Sequence, residues 1–429
     1  MKKDFKTEYI KILKAELVPA MGCTEPISLA FGAAYCRKLL GELPIKVTAL
    51  CSGNIIKNVR CVKIPHSGGM VGIEEAVLLG AVGGDSDREM EVLTSVTNED
   101  IGTVNALLDR GVCTVKLLDS PAPLHFILRM EGLHGEAEVE ICEDHTNIVR
   151  AAKNGMTVIH KDYQLTDNGP DYSTLNLEDI KAFADTVDIE LVKPIIDPQI
   201  ECNIRIAHAG MDGSYGIGIG KIITATYPDS PITEMKSMAA SASEARMGGC
   251  ELPVIVNSGS GNQGITASVP VIVYAKRKGL SAEALYRGLV FSNLLTVFQK
   301  MYIGKLSAFC GVVSAGCGAG AAITYMVDGS VERIKQTIEN TLANVPGIIC
   351  DGAKISCAAK ISTSIDAAYL AHEMAMRDAA YNPHTGILQA TTAKTISCVG
   401  KVGKDGMRET DKEILKILLE DEERFSAKS

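Results

Sequence analysis

Five thiols in the C-terminal half sit among glycines: Cys310 and Cys317 in AFCGVVSAGCGAG, Cys350 and Cys357 in GIICDGAKISC, and Cys398 in TISCVG. None forms a Cys-x-x-Cys pair, so zinc-ribbon and simple ferredoxin signatures are absent. A seven-residue separation returns to one helix face after two turns, so each closely spaced pair fits either a shared metal centre or one buried stripe. Gly347 and the Asp351-Gly352 step put Cys350 on a turn, where backbone N–H groups can point at a thiolate. A thiol buried only for packing would not need that turn.

A further thiol, Cys23, lies in Pro19-Ala-Met-Gly-Cys-Thr-Glu-Pro26. Thr24 reads as an N-cap, Glu25 and Pro26 as a first turn, and SLAFGAAYCRKLL as the helix that follows. The positive end of the helix dipole is expected to lower the Cys23 pKa, which suits a general base or nucleophile. A cysteine packed under a turn is the alternative. Asn257-Ser-Gly-Ser-Gly-Asn-Gln-Gly264 is read as a loop between the apolar runs VIV and ITASVPVIVY, with no Gly-Lys-Ser/Thr to make it a P-loop. Its N–H groups could converge on an anion, and Ser258, Ser260, Asn262 and Gln263 could hold an amino acid's carboxylate and ammonium. A plain Gly-rich turn explains it too. Ser52-Gly53-Asn54 with Lys57, and Lys63 to Gly69, are candidates of the same sort. No His pair among the eight has ligand spacing.

The elements that must position these groups fall into three textures. From Phe5 to about Leu43 the pattern is helical, broken at PAMGCTEP. From Pro44 to Tyr163 it is strand-like: IKVTALC, VRCVKI, VCTVKLL, LHFILRME, EAEVEICE, NIVRAA and MTVIHK alternate with turns, with helices expected over Gly72–Val82 and Ile101–Arg110. From Thr174 onward helical periodicity returns in LEDIKAFADTVD, ITEMKSMAASASEARMG, SAEALYRGLVFSNLLTVFQKMYI, SVERIKQTIENTLANV and DKEILKILLEDEERF. The expected architecture is α+β: a mainly α-helical body over residues 1–43 and 164–429, with an α+β domain inserted at 44–163. Residues 164–174 read as the clearest boundary.

Composition narrows the setting. The 429 residues include 40 Gly, 13 Cys and no Trp, so the interior must rely on small side chains and close backbone approach. A net charge of −9 without basic blocks argues against nucleic acid. The N-terminal segment mixes Lys with Asp and Glu and lacks a signal-peptide core, so a cytoplasmic setting is expected, with reduced thiols. Leu306–Val327 carries no charge over a bilayer-spanning length, yet its Gly, Ala, Ser and Cys content fits a buried helix of a soluble core better than a membrane span.

Taken as a set, MGCTEP, SGNIIKNV, KIPHSGGMVGIEEAVLLGAVGG, NSGSGNQG, SAFCG and GIICDGAKISC resemble the L-cysteine desulfidase family, related to the α chain of iron–sulfur L-serine dehydratases. The resemblance runs over nearly the whole chain. It implies a body of the serine dehydratase α-chain type and a [4Fe–4S] cluster on Cys310, Cys350 and Cys357, passing over Cys317. It also implies Cys23 as base and α,β-elimination without pyridoxal phosphate, turning L-cysteine into sulfide, pyruvate and ammonia. Three protein ligands leave one iron open as a Lewis acid. Some related dehydratases place a C-terminal cysteine on that iron; here the chain ends EDEERFSAKS, without one. The expected partner is a small amino acid, with neither nucleic acid nor membrane, and a homo-oligomer is allowed. L-serine dehydration at the same site, or a non-catalytic amino-acid or metal-binding protein, are the competing readings.

Overall fold

The computed structural model describes residues 5–161, 169–304 and 307–426. The fold is mainly helical with an α+β region, as expected. The boundary expected at 163/164, with part of the 164–174 segment, and Leu306 lie outside the described residues.

The first elements are α1 (Phe5–Glu16), β1 (Pro19–Met21), α2 (Thr24–Leu40), β2 (Lys46–Cys51), α3 (Gly53–Val59), α4 (Ile73–Gly83) and α5 (Asn98–Asp109). Five strands follow: β3 (Cys113–Leu117), β4 (His125–Glu131), β5 (Glu136–Cys142), β6 (Ile148–Lys153) and β7 (Met156–His160). They join β2 in one sheet of order β3-β2-β4-β5-β6-β7, with β2 and β3 parallel and the other pairs antiparallel. Alternation explains the sheet's two faces: in β4, Phe126, Leu128 and Met130 point inward while Arg129 and Glu131 are exposed. Capping fixes α5, where Thr97 and Asp100 exchange side-chain-to-backbone hydrogen bonds in a capping box.

α2 lies between this sheet and α4. Its Ile27, Leu29, Ala30, Ala33 and Ala34 enter the same core as Val47, Phe126, Leu128 and Val139 of the sheet. So α2, grouped with the helical body by sequence texture, packs into the sheet's core. Its contact with α4 is close enough that a Cβ on Gly80 would stand 2.1 Å from the Ala30 carbonyl oxygen.

The second core belongs to the helices: α6 (Leu177–Thr186), α7 (Ile189–Asp212), α8 (Ile219–Thr226), α9 (Pro231–Met247), a short β8 (Pro253–Ile255), α10 (Gly261–Lys278), α11 (Ala282–Ile303), α12 (Val312–Val327), α13 (Val331–Asn344), α14 (Cys357–Ala375), α15 (Thr392–Lys401) and α16 (Arg408–Ser426). The uncharged stretch ending at Val327 is α12, buried at all but its last turn. Among the described residues no helix is long and apolar enough to cross a membrane.

Two local expectations give way, and one helix holds where local signals would break it. VRCVKI is not a strand: Val59 ends α3, and only Lys63 makes an isolated bridge, to Val71. α7 carries Pro194 and Pro198 inside a 24-residue helix that local signals would break. The cap of α2 is Cys23 rather than Thr24, which becomes its first residue.

Candidate functional site

β1 and β8 pair antiparallel, Pro19 opposite Ile255 and Met21 opposite Pro253, and Val256 N–H donates to the Val18 carbonyl. Asn203 of α7 pins this ribbon, accepting from Ile255 N–H at 2.9 Å. The ribbon brings the start of α2 against the segment that opens α10, although more than 230 residues separate Thr24 from Gly259 in the chain; the Thr24 hydroxyl donates to the Gly259 carbonyl at 3.1 Å. A cavity of about 90 Å³ lies at this junction.

Cys23 forms one wall. It is 2% exposed, and its thiol donates to Glu25 Oε2 at 2.9 Å. Glu25 also accepts from the Thr24 hydroxyl and from Asn58 Nδ2, each at 3.1 Å. Burial, then the Glu25 charge, push the Cys23 pKa well above its usual value, and Arg246 opposes them only in part. The expected lowering by the dipole of α2 is therefore overturned: a dehydrated thiol beside a carboxylate keeps its proton.

The glycine-rich segment forms a second wall. Asn257 and Ser260 exchange backbone hydrogen bonds across Ser258 and Gly259, both at positive φ (51° and 75°), which makes a tight primed turn. The α-helix begins at once with Gly261, so Asn262 and Gln263 stand in its first turn rather than in a loop. Ser258, Ser260, Asn262 and Gln263 all line the cavity. Ser258 Oγ is engaged by Asn257 Oδ1 and Asn262 Oδ1 by Ser243, whereas Gln263 Oε1 is buried with no hydrogen-bond partner.

The third wall carries the thiols. Phe309 and Ile349 form an isolated antiparallel bridge; Cys310 N–H donates to the Ile348 carbonyl at 2.8 Å and Cys350 N–H to the Ala308 carbonyl at 2.7 Å. Cys357 opens α14, its Sγ 3.8 Å from the Gly352 carbonyl. The expected turn after Cys350 is present: Gly352 has φ 102°, and a Cβ there would stand 2.2 Å from the Lys57 carbonyl oxygen. Cys310 and Cys350 share a hydrogen bond that holds the Cys350 pKa below its usual value and that of Cys310 well above; Lys57, the Gly352 N–H and Lys360 add to the Cys350 effect. Among the described residues no three His, Cys, Asp or Glu converge as ligands of a single ion. A cluster spreads its thiolates over separate irons, and three buried or near-buried thiols on one wall, one biased toward thiolate, are a donor set that fits it. Cys317 lies elsewhere, fully buried inside α12, where burial pushes its pKa up to about 12. Cys398 is half-buried on α15.

Two candidates are not brought here. Asn54 Nδ2 and Lys57 Nζ both donate to Asp411 of α16, at 3.1 and 2.5 Å. These bonds tie α3 to the C-terminal helix, and neither residue lines the cavity. Asn54 borders instead a larger cavity of about 760 Å³ with Leu118, Met407 and Leu415. Size favours that cavity, but the thiols and the unpartnered polar atoms of Arg246 and Gln263 lie in the smaller one. In the Lys63–Gly69 segment, Ser67 Oγ accepts from Gly69 and Met70 N–H, a turn that stabilises itself.

Sequence reading missed Arg246, Lys300, Asn58 and His145, all lining the cavity. Burial lowers the Lys300 pKa to about 8, against the raising influence of Cys310, Cys350 and Glu16. A signal existed for Arg246: in the run MAASASEARM only Glu244 and Arg246 interrupt small or apolar residues, and charges on a helix buried all round need a purpose.

Residues 87–416 match the family model described as the serine dehydratase alpha chain. Full-length relatives include the UPF0597 protein of Lachnoclostridium phytofermentans, 47% identical over 96% of this chain and 99% of its own. That of Treponema denticola is 45% identical over 96% and 98%, and that of Bacteroides fragilis 35% identical over 97% and 99%.

Proposed function

The chain belongs to the serine dehydratase α-chain family, and from that membership we propose that it is a lyase that uses an iron–sulfur cluster, without pyridoxal phosphate, to eliminate sulfide from L-cysteine. The observation that carries this reading is the meeting of Cys23 and Glu25 with Cys310, Cys350 and Cys357 around one cavity of amino-acid scale. Cys310, Cys350 and Cys357 would hold a [4Fe–4S] cluster. When bound, with one iron free of protein ligands, it supplies Lewis-acid stabilisation of the charge that develops as the β-substituent leaves.

The chain's own groups handle the proton. Cys23 rests as a thiol, and its proton already has an acceptor in Glu25 Oε2 at 2.9 Å. For Cys23 Sγ to take the proton from Cα, its own proton must first pass to Glu25, a transfer uphill from the resting thiol; the Cα–H electrons then become the Cα=Cβ bond as the Cβ–S bond breaks and sulfide departs. The aminoacrylate released then hydrolyses to pyruvate and ammonia. Asn58 and Thr24 orient the carboxylate for this exchange.

The test is anaerobic reconstitution of wild type beside Cys350→Ser and Cys317→Ser. Wild type and the Cys317 variant should bind iron and sulfide, show broad visible absorption and release sulfide and pyruvate from L-cysteine; the Cys350 variant should do none of these. A colourless wild type sinks the reading. A second reading, dehydration of L-serine at the same site, draws support from the name of the matching family. Parallel rates with the two amino acids separate the two readings.

A further inference from the structure

Arg246 is 2% exposed in the last turn of α9, and among the described residues its side chain makes no ion pair and its Nε no hydrogen bond. The carboxylates near it in chain or in space are engaged. Glu244 accepts from the N–H groups of Ile217, Gly218 and Ile219, and Glu25 from Cys23, Thr24 and Asn58. A guanidinium stays charged at any working pH, so burying one unpaired is costly unless an anion arrives to meet it.

The guanidinium is packed directly against the start of α10. A Cβ on residue 261 would stand 2.3 Å from Arg246 Nε, and Gly261 has none. Gly261 also begins α10, an 18-residue helix whose first-turn N–H groups have no acceptor within the helix; Gly264 N–H is already bonded to the Ser260 carbonyl. Guanidinium and helix N-terminus thus present positive charge to the cavity from two sides. Gln263, 4% exposed, adds an acceptor with no partner, Oε1.

We propose that Arg246 and the first turn of α10 bind the α-carboxylate of a free amino acid and that Gln263 Oε1 accepts from its α-ammonium. Two opposite demands placed side by side match a zwitterionic head group; an amine or an acid alone would satisfy only one. Arg246 and Gln263 line the same cavity, so both halves of that head group can be met there. The assignment rests on the amino-acid reading of this pocket, and it excludes peptides, N-acylated amino acids and decarboxylated thiols such as cysteamine as ligands.

L-alanine is the probe, since it carries the head group and no leaving group and cannot be turned over. Calorimetric titration of the full chain should show L-alanine binding, with ethylamine and propionate each at least tenfold weaker. Arg246→Met should abolish alanine binding while raising the melting temperature of the ligand-free protein, because it removes an unpaired buried charge. Arg246→Lys should bind weakly and remain folded. Alanine binding to Arg246→Met at wild-type strength, equal binding of ethylamine, or no alanine binding by wild type overturns the assignment. A melting temperature lowered by both variants, with alanine binding retained in Arg246→Lys, shows Arg246 to be a packing residue and overturns it as well. Loss of the lyase reading alone would appear differently, as Arg246-dependent alanine binding without sulfide or pyruvate release.

Discussion

Gly311 offers a quantitative test of how tightly the pocket is set. A Cβ at this position would stand 2.4 Å from Gln263 Cδ, with both amide heteroatoms at 2.6 Å. Ordinary contact between carbon atoms is about 3.5–4.0 Å, so Gly311→Ala must push the Gln263 amide back by roughly 1.1–1.6 Å. Misplacement of a positioning group by about 1 Å costs on the order of 100-fold in rate. The overpacking itself costs about 1–3 kcal/mol of stability, which a chain with two large cores should survive. We therefore expect Gly311→Ala to fold and to lose about two orders of magnitude in kcat/KM for the amino-acid substrate. Because the loss is transmitted through one side chain, Gly311→Ala should add little in a Gln263→Ala background, a strongly non-additive cycle. Steady-state rates and thermal melts of the four proteins measure it. Near-wild-type rates in the single variant, or additive losses in the double, would show that Gln263 is not displaced or that its position does not matter.

Other expectations concern stability. His372 is 2% exposed, its Nδ1 2.9 Å from the Thr324 hydroxyl, and burial lowers its pKa to about 4 against the opposing Glu373 charge. The unfolded chain binds this proton near pH 6.5 and the folded one only near 4, so stability present above pH 6.5 is lost as pH falls toward 4. About 3 kcal/mol is at stake, and His372→Gln should flatten that part of a urea-denaturation pH profile. Gly80→Ala must drive α2 and α4 apart, since its Cβ meets backbone at 2.1 Å; a loss of at least about 1–3 kcal/mol should register in the same measurement.

Much of this was legible where local pattern and tertiary context agree. The sheet's alternating strands and the amphipathic α6, α13 and α16 declare themselves by period. The failures have identifiable causes. Val59 to Ile64 has strand-like side chains, but the segment leaves α3 and turns toward Gly69, so tertiary placement overrides propensity. α7 keeps Pro194 and Pro198 because the surrounding helices bury its inner face, Val192, Ile195, Ile196 and Gln199 among them, offsetting the lost backbone bonds. At the site, spacing left both the thiols and the glycine-rich segment open between chemistry and packing. The helix dipole argument for Cys23 erred because desolvation and Glu25, neither visible as distances in a sequence, outweigh it. Arg246 escaped notice because an arginine in a helix ordinarily reads as surface.

The backbone strap through Phe309 and Ile349 bears on what substitutions at the thiols would report. Cys310 and Cys350 are set opposite one another by main-chain hydrogen bonds that involve no thiol, and Cys357 is set by the start of a 19-residue helix. Main-chain bonds and a helix start fix these three positions, so serine at any one of them should leave the surrounding backbone in place. Loss of visible absorption in Cys350→Ser with an unchanged thermal melt would then report the thiol itself and not a rearranged strap.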